Sequence, residues 1–350
     1  MTKTFTNEFD NFLDKLKNGE NFAFNRFSDG ELFMLQNQPL VLAENYFITG
    51  ASGFIAQGLI PALLQNPEAR IFAYVHHDKP DFPEVQDKLH YVYSIQDVRS
   101  ILMQLGESKI HTVVHLAGAG IADWPWTPKR KEELKNSRWD LVTRLHQSFS
   151  DAEIVIDRIF GASAIGFYGD GGDYWLDESA QQGRGFAAEL CAGIERRIAS
   201  AAQEADAKWY ALRFGVVLGP DGGLLSRLAL PAKLGLGSVF GDGQQWVSWI
   251  DRHDLVQAIL FVEEHDLESG PLNITSPEPE QWGSFMQHLS GVYDKKTRIR
   301  IPSLALSALG EMKSVFLDSA RVTPKALKDA GFSFSVPELD TSLKMNLIEH

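Results

Sequence analysis

Long apolar runs are missing from this chain: no stretch approaches the roughly 18 residues that a membrane-spanning helix requires. The start, Met1-Thr-Lys-Thr-Phe5, lacks the apolar core of a signal peptide. Cysteine is nearly absent too. Cys191 is the single one in 350 residues, which excludes an internal disulfide and a cysteine cluster for zinc. A reducing cytoplasm is the location these features imply. Basic charge is scarce: 33 Lys and Arg face 46 Asp and Glu, a formal net charge of −13. That is the opposite of the basic face a nucleic-acid binder presents. No internal repeat or low-complexity tract is present. With 44% hydrophobic and 23% charged residues, the composition is that of a globular protein with one large or two modest domains.

The most informative stretch that is present is Tyr46-Phe-Ile-Thr-Gly50-Ala-Ser52-Gly53-Phe54-Ile55-Ala56. An apolar run enters a glycine turn, and a segment of helical periodicity (Phe54, Ile55, Leu59, Ile60, Leu63, Leu64) leaves it. Gly50 allows the tight turn, Gly53 lets a pyrophosphate approach the backbone at a helix N-terminus, and Ala56 keeps helix and strand close. Downstream, strands are expected at 46–49, 70–75, 111–116, 153–160 and 208–217. Helices are expected at 54–66, 96–106, 128–149, 184–205, 223–234, 253–265 and 281–291. Short buried runs such as Thr112-Val-Val-His-Leu116, alternating with longer helical segments, predict an α/β fold. In it a Rossmann-type doubly wound parallel sheet is covered on both faces.

The G-x-x-G-x-x-A spacing resembles the short-chain dehydrogenase/reductase superfamily. Several further stretches resemble one extended subgroup, the nucleotide-sugar-epimerase-like proteins. They are His115-Leu-Ala-Gly-Ala119, Trp126-Thr-Pro-Lys-Arg-Lys131, Ser137-Arg138, Ser163-Ala-Ile-Gly-Phe-Tyr-Gly169 and Leu212-Arg-Phe-Gly-Val-Val-Leu-Gly219. Gly241-Asp-Gly-Gln-Gln-Trp-Val-Ser-Trp-Ile250, Gly270-Pro-Leu-Asn-Ile-Thr275, Arg321-Val-Thr-Pro324 and Gly331-Phe-Ser-Phe334 continue the match, which spans about 46 to 345. The resemblance implies a NAD(P)-binding domain over 46–220 and a smaller substrate subdomain over 221–350, interleaved with the first. It also implies that Leu116, Ala117 and Gly118 pass under the cofactor and that Arg138 faces it. An ordinary structural ion pair is the alternative for Arg138.

The second strand ends at His76-His77-Asp78-Lys79. The family usually places arginine at the position of His76, which implies NADP(H). A cation there accommodates a 2′-phosphate, whereas Asp78 favours NAD. NADP(H) is the expected cofactor.

The usual Tyr-x-x-x-Lys pair of the superfamily is absent. None of the eight tyrosines has Lys four residues on, and the segment where the pair belongs reads Gly185-Phe-Ala-Ala-Glu-Leu-Cys191, with Phe186 near the expected Tyr. Ser163 and Tyr168 are the hydroxyls left to act as catalytic replacements, with packing the competing role for Tyr168. Glu178 and Glu189 stand behind them. Trp126 and Gln245 are expected to meet substrate from loops over the pocket. The retained loops point to an oxidoreductase or epimerase-like enzyme acting on a small carbonyl or nucleotide-sugar compound. The missing pair points instead to a non-catalytic NADP(H)-binding sensor or scaffold.

Residues 1–45 precede the first strand and form an N-terminal extension with Phe9, Phe12, Leu13 and Leu16 at helical spacing. Its Phe24-Asn-Arg-Phe-Ser-Asp29-Gly-Glu31 stretch resembles the start of a bacterial glycosyltransferase family with an Asp-x-Glu pair. The rest of that catalytic domain is missing, so a capping or docking appendage is expected. A homodimer and a glycosyltransferase are the partners considered beside a small-molecule substrate.

Overall fold

A computed structural model describes residues 45–75, 88–220, 222–297 and 299–348. The N-terminal extension, including Asp29 and Glu31, lies outside the described residues, as do His76 and His77. Val41–His350 cluster as one compact unit.

Seven parallel strands form the central sheet: β1 (Asn45–Thr49), β2 (Arg70–Tyr74), β3 (Leu89–Val92), β4 (Lys109–His115), β5 (Val155–Ala164), β6 (Lys208–Phe214) and β7 (Gly270–Ile274). Their order is β7-β6-β5-β4-β1-β2-β3. The order reverses between β1 and β4, which marks the switch point where ligands of such sheets bind. Every residue of β1 is buried, as its apolar centre Tyr46-Phe47-Ile48 requires of a central strand covered on both faces.

Among the described residues, the helices of eight or more residues are α1 (Ala56–Leu64), α2 (Ile95–Gln104), α3 (Pro128–Lys135), α4 (Leu141–Asp151), α5 (Phe186–Ala205), α6 (Leu225–Lys233), α7 (Arg252–Glu264), α8 (Trp282–Gly291) and α9 (Leu339–Leu347). One core unites Phe47, Phe72, Val113 and Ile159 of the sheet with Val98, Leu145, Phe149, Ile194 and Ile198 of α2, α4 and α5. A second core joins Leu225, Trp249, Trp282, Phe285 and Leu343 in the later part of the chain. That part is interleaved with the first, because it also supplies β7, which pairs with β6 from Gly270↔Tyr210 to Ile274↔Phe214.

The five strands expected from the sequence are present. The segment at 208–217 divides into β6 and a short strand at Val216–Leu218 that pairs with Trp249–Asp251. The helix expected over 128–149 is α3 and α4 joined by one π turn at Asn136–Asp140. A π turn inserts a residue and rotates the next part of the helix, often at functional sites. Here it turns Ser137 and Arg138 toward the end of β4.

Candidate active site

β1 ends at Thr49, and the chain reverses at Gly50, whose φ of +72° favours glycine. A Cβ there would stand 2.7 Å from Ala117 N and 2.8 Å from Leu116 C, so the turn also needs glycine for its approach to the next strand's exit. Thr49 ties the two together: its carbonyl accepts from Leu116 N–H at 3.2 Å and its Oγ1 from Ala117 N–H at 3.2 Å. Gly53 closes the turn by donating to Gly50 O at 2.8 Å, and a Cβ on it would lie 3.0 Å from that same oxygen. Ser52 and Gly53 are exposed. The N–H groups of Phe54 and Ile55 have no acceptor among the described residues, which leaves two donors at the start of α1. Phe54 turns its ring away, against Gly219, Gly222 and Gly223 and beneath the Arg252 guanidinium at 4.7 Å.

Across the switch point, Arg138 lies flat on Gly118, where a Cβ would come within 2.7 Å of its Cζ. Its Nη2 donates to Ala119 O at 2.9 Å, and Ser137 Oγ accepts from Ala119 N–H at 3.1 Å. The π turn thus clamps the loop after β4 from both sides. No carboxylate pairs with Arg138 among the described residues.

Ser163 and Tyr168 are brought together, in one buried network centred on a residue the sequence reading had not singled out. Arg213 of β6 grips Glu195 of α5 with two bonds, Nε to Oε1 at 2.9 Å and Nη2 to Oε2 at 2.8 Å. Ser163 donates to the same Oε1 at 2.7 Å. Arg213 Nη1 donates to the Tyr168 hydroxyl at 2.9 Å, and that hydroxyl lies 2.7 Å from Asn273 Oδ1 and 3.0 Å from Asp177 O. Both candidate hydroxyls are therefore engaged as donors inside the protein. Burial pushes the Tyr168 phenol up to about 12, against the opposing Arg213 charge. Glu178, the second-rank candidate, accepts from Asn273 N–H at 3.1 Å and Ala326 N–H at 3.2 Å and so fastens three segments. Glu189 forms an ion pair with Lys135 on the surface.

The α5 face that meets the turn after β5 carries Ala187, Cys191 and Glu195, spaced one turn apart. A Cβ on Gly166 would sit 3.4 Å from Ala187 Cβ and 3.9 Å from Cys191 Sγ. Phe186 points instead into an apolar cluster with Trp126, Leu134, Leu190 and Met312. Ala187 and Cys191, four residues apart, therefore both face the turn that carries Gly166. Burial raises the Cys191 thiol to about 11, which keeps it protonated.

Trp126 is buried, edge-on to Phe186 at 5.0 Å, with its indole N–H donating to Ile121 O at 2.9 Å. Gln245 is buried as well and donates to Phe316 O at 2.9 Å. Each holds a loop in place with its polar end. Beneath the loop after β4, His115 Nε2 and His146 Nε2 lie 2.9 Å apart. Burial pushes both imidazoles down, His146 to about 4, so the pair is neutral near pH 7. Among the described residues no cluster of three His, Cys, Asp or Glu could hold a metal, and no helix is long and apolar enough to cross a membrane.

A dinucleotide-type turn at a switch point, in a sheet completed by a late strand, defines an extended dehydrogenase/reductase architecture. Residues 46–275 match the NAD dependent epimerase/dehydratase family, and residues 301–345 match a domain of unknown function (DUF1731). The chain belongs to that epimerase/dehydratase family. An epimerase family protein of Staphylococcus aureus (strain MRSA252) is 30% identical over 305 residues, 86% of this chain and 98% of the relative. One of Mycobacterium bovis is 35% identical over 227 residues, 64% of this chain and 74% of the relative. Among solved structures, the human epimerase family protein SDR39U1 (isoform 2) with NADPH superposes with a TM-score of 0.73 at 22% identity, over 87% of this chain and 99% of that one. A nucleoside-diphosphate sugar epimerase from Corynebacterium glutamicum gives 0.65 at 25% identity, over 89% of this chain and 59% of that one. UDP-glucose 4-epimerase from Thermotoga maritima with UDP-glucose gives 0.67 at 18% identity, over 87% and 97%.

Proposed function

We propose that this protein is an NADP(H)-dependent oxidoreductase or epimerase-like enzyme acting on a small carbonyl or nucleotide-sugar compound. The observation that carries the proposal is the turn itself. Gly50 is forced by its backbone contact, and among the described residues two N–H donors at the start of α1 have no acceptor and the Arg138 cation across the switch point has no carboxylate. Those features suit a pyrophosphate-bearing dinucleotide. Gly50, Ser52, Gly53, Phe54 and Ile55 would hold its phosphates through the backbone, Leu116, Ala117 and Gly118 would pass beneath it, and Arg138 would face it. His76 and His77 are assigned to the 2′-phosphate side, which is the basis for NADP(H) over NAD. A bound nicotinamide supplies hydride transfer. Trp126 and Gln245 fix the loops on the substrate side. Ser163 and Tyr168 keep their place in the proposal as members of the Arg213 network that shapes the floor of the site, and not as free acids.

A non-catalytic sensor is the second reading. It is supported by the α5 face that meets the turn after β5, which we assign to the missing pair: Ala187 and the protonated thiol of Cys191 bring no proton-transfer chemistry there. Competitive titration of NADPH and NADH, then assays of NADPH oxidation with carbonyls and chromatographic detection of epimerised UDP-sugars in the presence of NADP⁺, which epimerisation leaves unchanged overall, separate the readings. Turnover with any of them supports the enzyme. Tight NADPH binding without turnover supports the sensor, and tighter NADH binding overturns the NADP(H) assignment. Absence of binding by either cofactor would sink the whole proposal.

A further inference from the structure

The site has lost the ammonium that a Lys on α5 would bring, because Cys191 stands in that place as a buried neutral thiol. A cation nevertheless stands beside it. The π turn that carries Arg138 is fixed against α5 on both sides of Cys191, because Trp139 donates its indole N–H to Leu190 O at 3.0 Å and lays its ring on Gly193. Two arginines that reach into the sheet are matched by acids, Arg213 by Glu195 and Arg158 by Glu263. Arg138 has none among the described residues. Leaving a guanidinium largely out of water without a counter-charge is costly unless its N–H groups are well bonded.

Its bonds within the protein are incomplete. Nη2 has one good acceptor, Ala119 O at 2.9 Å, while Nη1 reaches Ser137 Oγ at 3.3 Å and Leu134 O at 3.4 Å, both long. Nε has no acceptor among the described residues, yet it is not one of the fully enclosed unpartnered nitrogens, so it is reachable from outside. Gly118 is what lets the guanidinium lie flat along the exit of β4, since any side chain there would overlap it.

We infer that Arg138 replaces the absent Lys by delivering the site's cation from the π turn, where its spare donors hold the nicotinamide-side ribose hydroxyls of the dinucleotide. The inference rests on the dinucleotide reading above. It departs from an ordinary phosphate contact because it assigns Arg138 to the nicotinamide half, on the Cys191 side, and not to the adenosine half near the tip of β2. A planar fork of donors suits a vicinal diol, and its charge favours an oxygen on which negative charge develops.

The test uses the full chain and two ligands, NADPH and its adenosine-side fragment 2′,5′-ADP, each titrated calorimetrically. Arg138→Met is expected to weaken NADPH on the order of tenfold, the loss of one charge-assisted contact, while 2′,5′-ADP stays within about twofold of wild type. Arg138→Lys, which keeps the charge, is expected to recover part of the NADPH affinity. It also controls for loss of fold, together with circular dichroism of both variants. Equal weakening of both ligands would place Arg138 on the adenosine side or in the fold at large and overturn the inference. Unchanged NADPH affinity in a folded Arg138→Met protein would overturn it too. If wild type bound neither ligand, the dinucleotide reading itself would fall.

Discussion

Removing the Glu195 carboxylate should expose how much of this fold hangs on one buried ion pair. Glu195 and Arg213 side chains are only 10% and 4% accessible, and the carboxylate receives two bonds from Arg213 and one from Ser163. Glu195→Ala would strand the guanidinium with Tyr168 and one distant carbonyl, Glu178 O at 3.4 Å. Breaking a buried pair in this way costs about 3–5 kcal/mol, against a total stability of about 5–15 kcal/mol. Ser163→Ala leaves the pair standing and deletes a single bond to a charged acceptor, worth about 1.5–3 kcal/mol. Urea unfolding at constant m-value should therefore rank the midpoints wild type, Ser163→Ala, Glu195→Ala, from highest to lowest. The double variant Glu195→Leu/Arg213→Met, which removes both charges, should regain much of the loss. A midpoint for Glu195→Ala at or above that of Ser163→Ala would refute the reasoning. A normal Ser163→Ala midpoint combined with collapsed turnover would return the serine hydroxyl to a direct chemical role.

Gly50→Ala combines a φ of +72° with a Cβ 2.7 Å from Ala117 N, so it should lose at least about 1–3 kcal/mol, seen as a lower thermal midpoint; an unchanged midpoint would refute the close approach. The His115–His146 pair gives a pH dependence of defined sign. Its folded pKa values lie below the ordinary value, so the unfolded chain takes up protons first as pH falls below about 6.5, and stability drops toward pH 4. The slope is bounded at about 1.4 kcal/mol per pH unit for each histidine, with no contribution from this source above about pH 7. A His115→Leu/His146→Leu protein should show a shallower fall in urea midpoint between pH 7 and 5, and an equally steep one would contradict the assignment. Because Val41–His350 form one compact unit, deletion of residues 1–40 should leave a cooperatively unfolding protein; loss of the cooperative transition would argue otherwise.

The glycine turn and the alternation after it were legible because both are local. Thr49-Gly50 and the periodicity from Phe54 to Leu64 specify strand, turn and helix within twenty residues. Two sheet strands escaped that reading. Leu89–Val92 is four residues with no clear alternation, and Gly270–Ile274 opens with Gly and Pro, which look like loop until β6 is known to lie beside them. The helix over 128–149 was expected, but a π turn leaves no mark in composition, and it is this turn that aims Arg138. Phe186, the aromatic nearest the expected Tyr, packs into the Trp126 cluster, while Ala187 and Cys191 face the turn after β5, a division of helix faces that the residue order alone does not display. Glu195 and Arg213 went unnoticed because their partnership spans two elements; a buried carboxylate on the same helix stripe as Cys191 was the available signal. Ser163 and Tyr168 were legible as neighbours in sequence, but what their hydroxyls bond to was not.

The measurement that bears most directly on the account is a fluorescence titration of NADPH into wild type and Gly53→Val, each checked for fold by circular dichroism. Gly53 is exposed at the turn, and a branched side chain there would press on Gly50 O and cover the free donors at the start of α1. The account requires saturable binding by wild type and its loss in a folded Gly53→Val protein. Undiminished binding by that variant, or no binding by wild type, would contradict it.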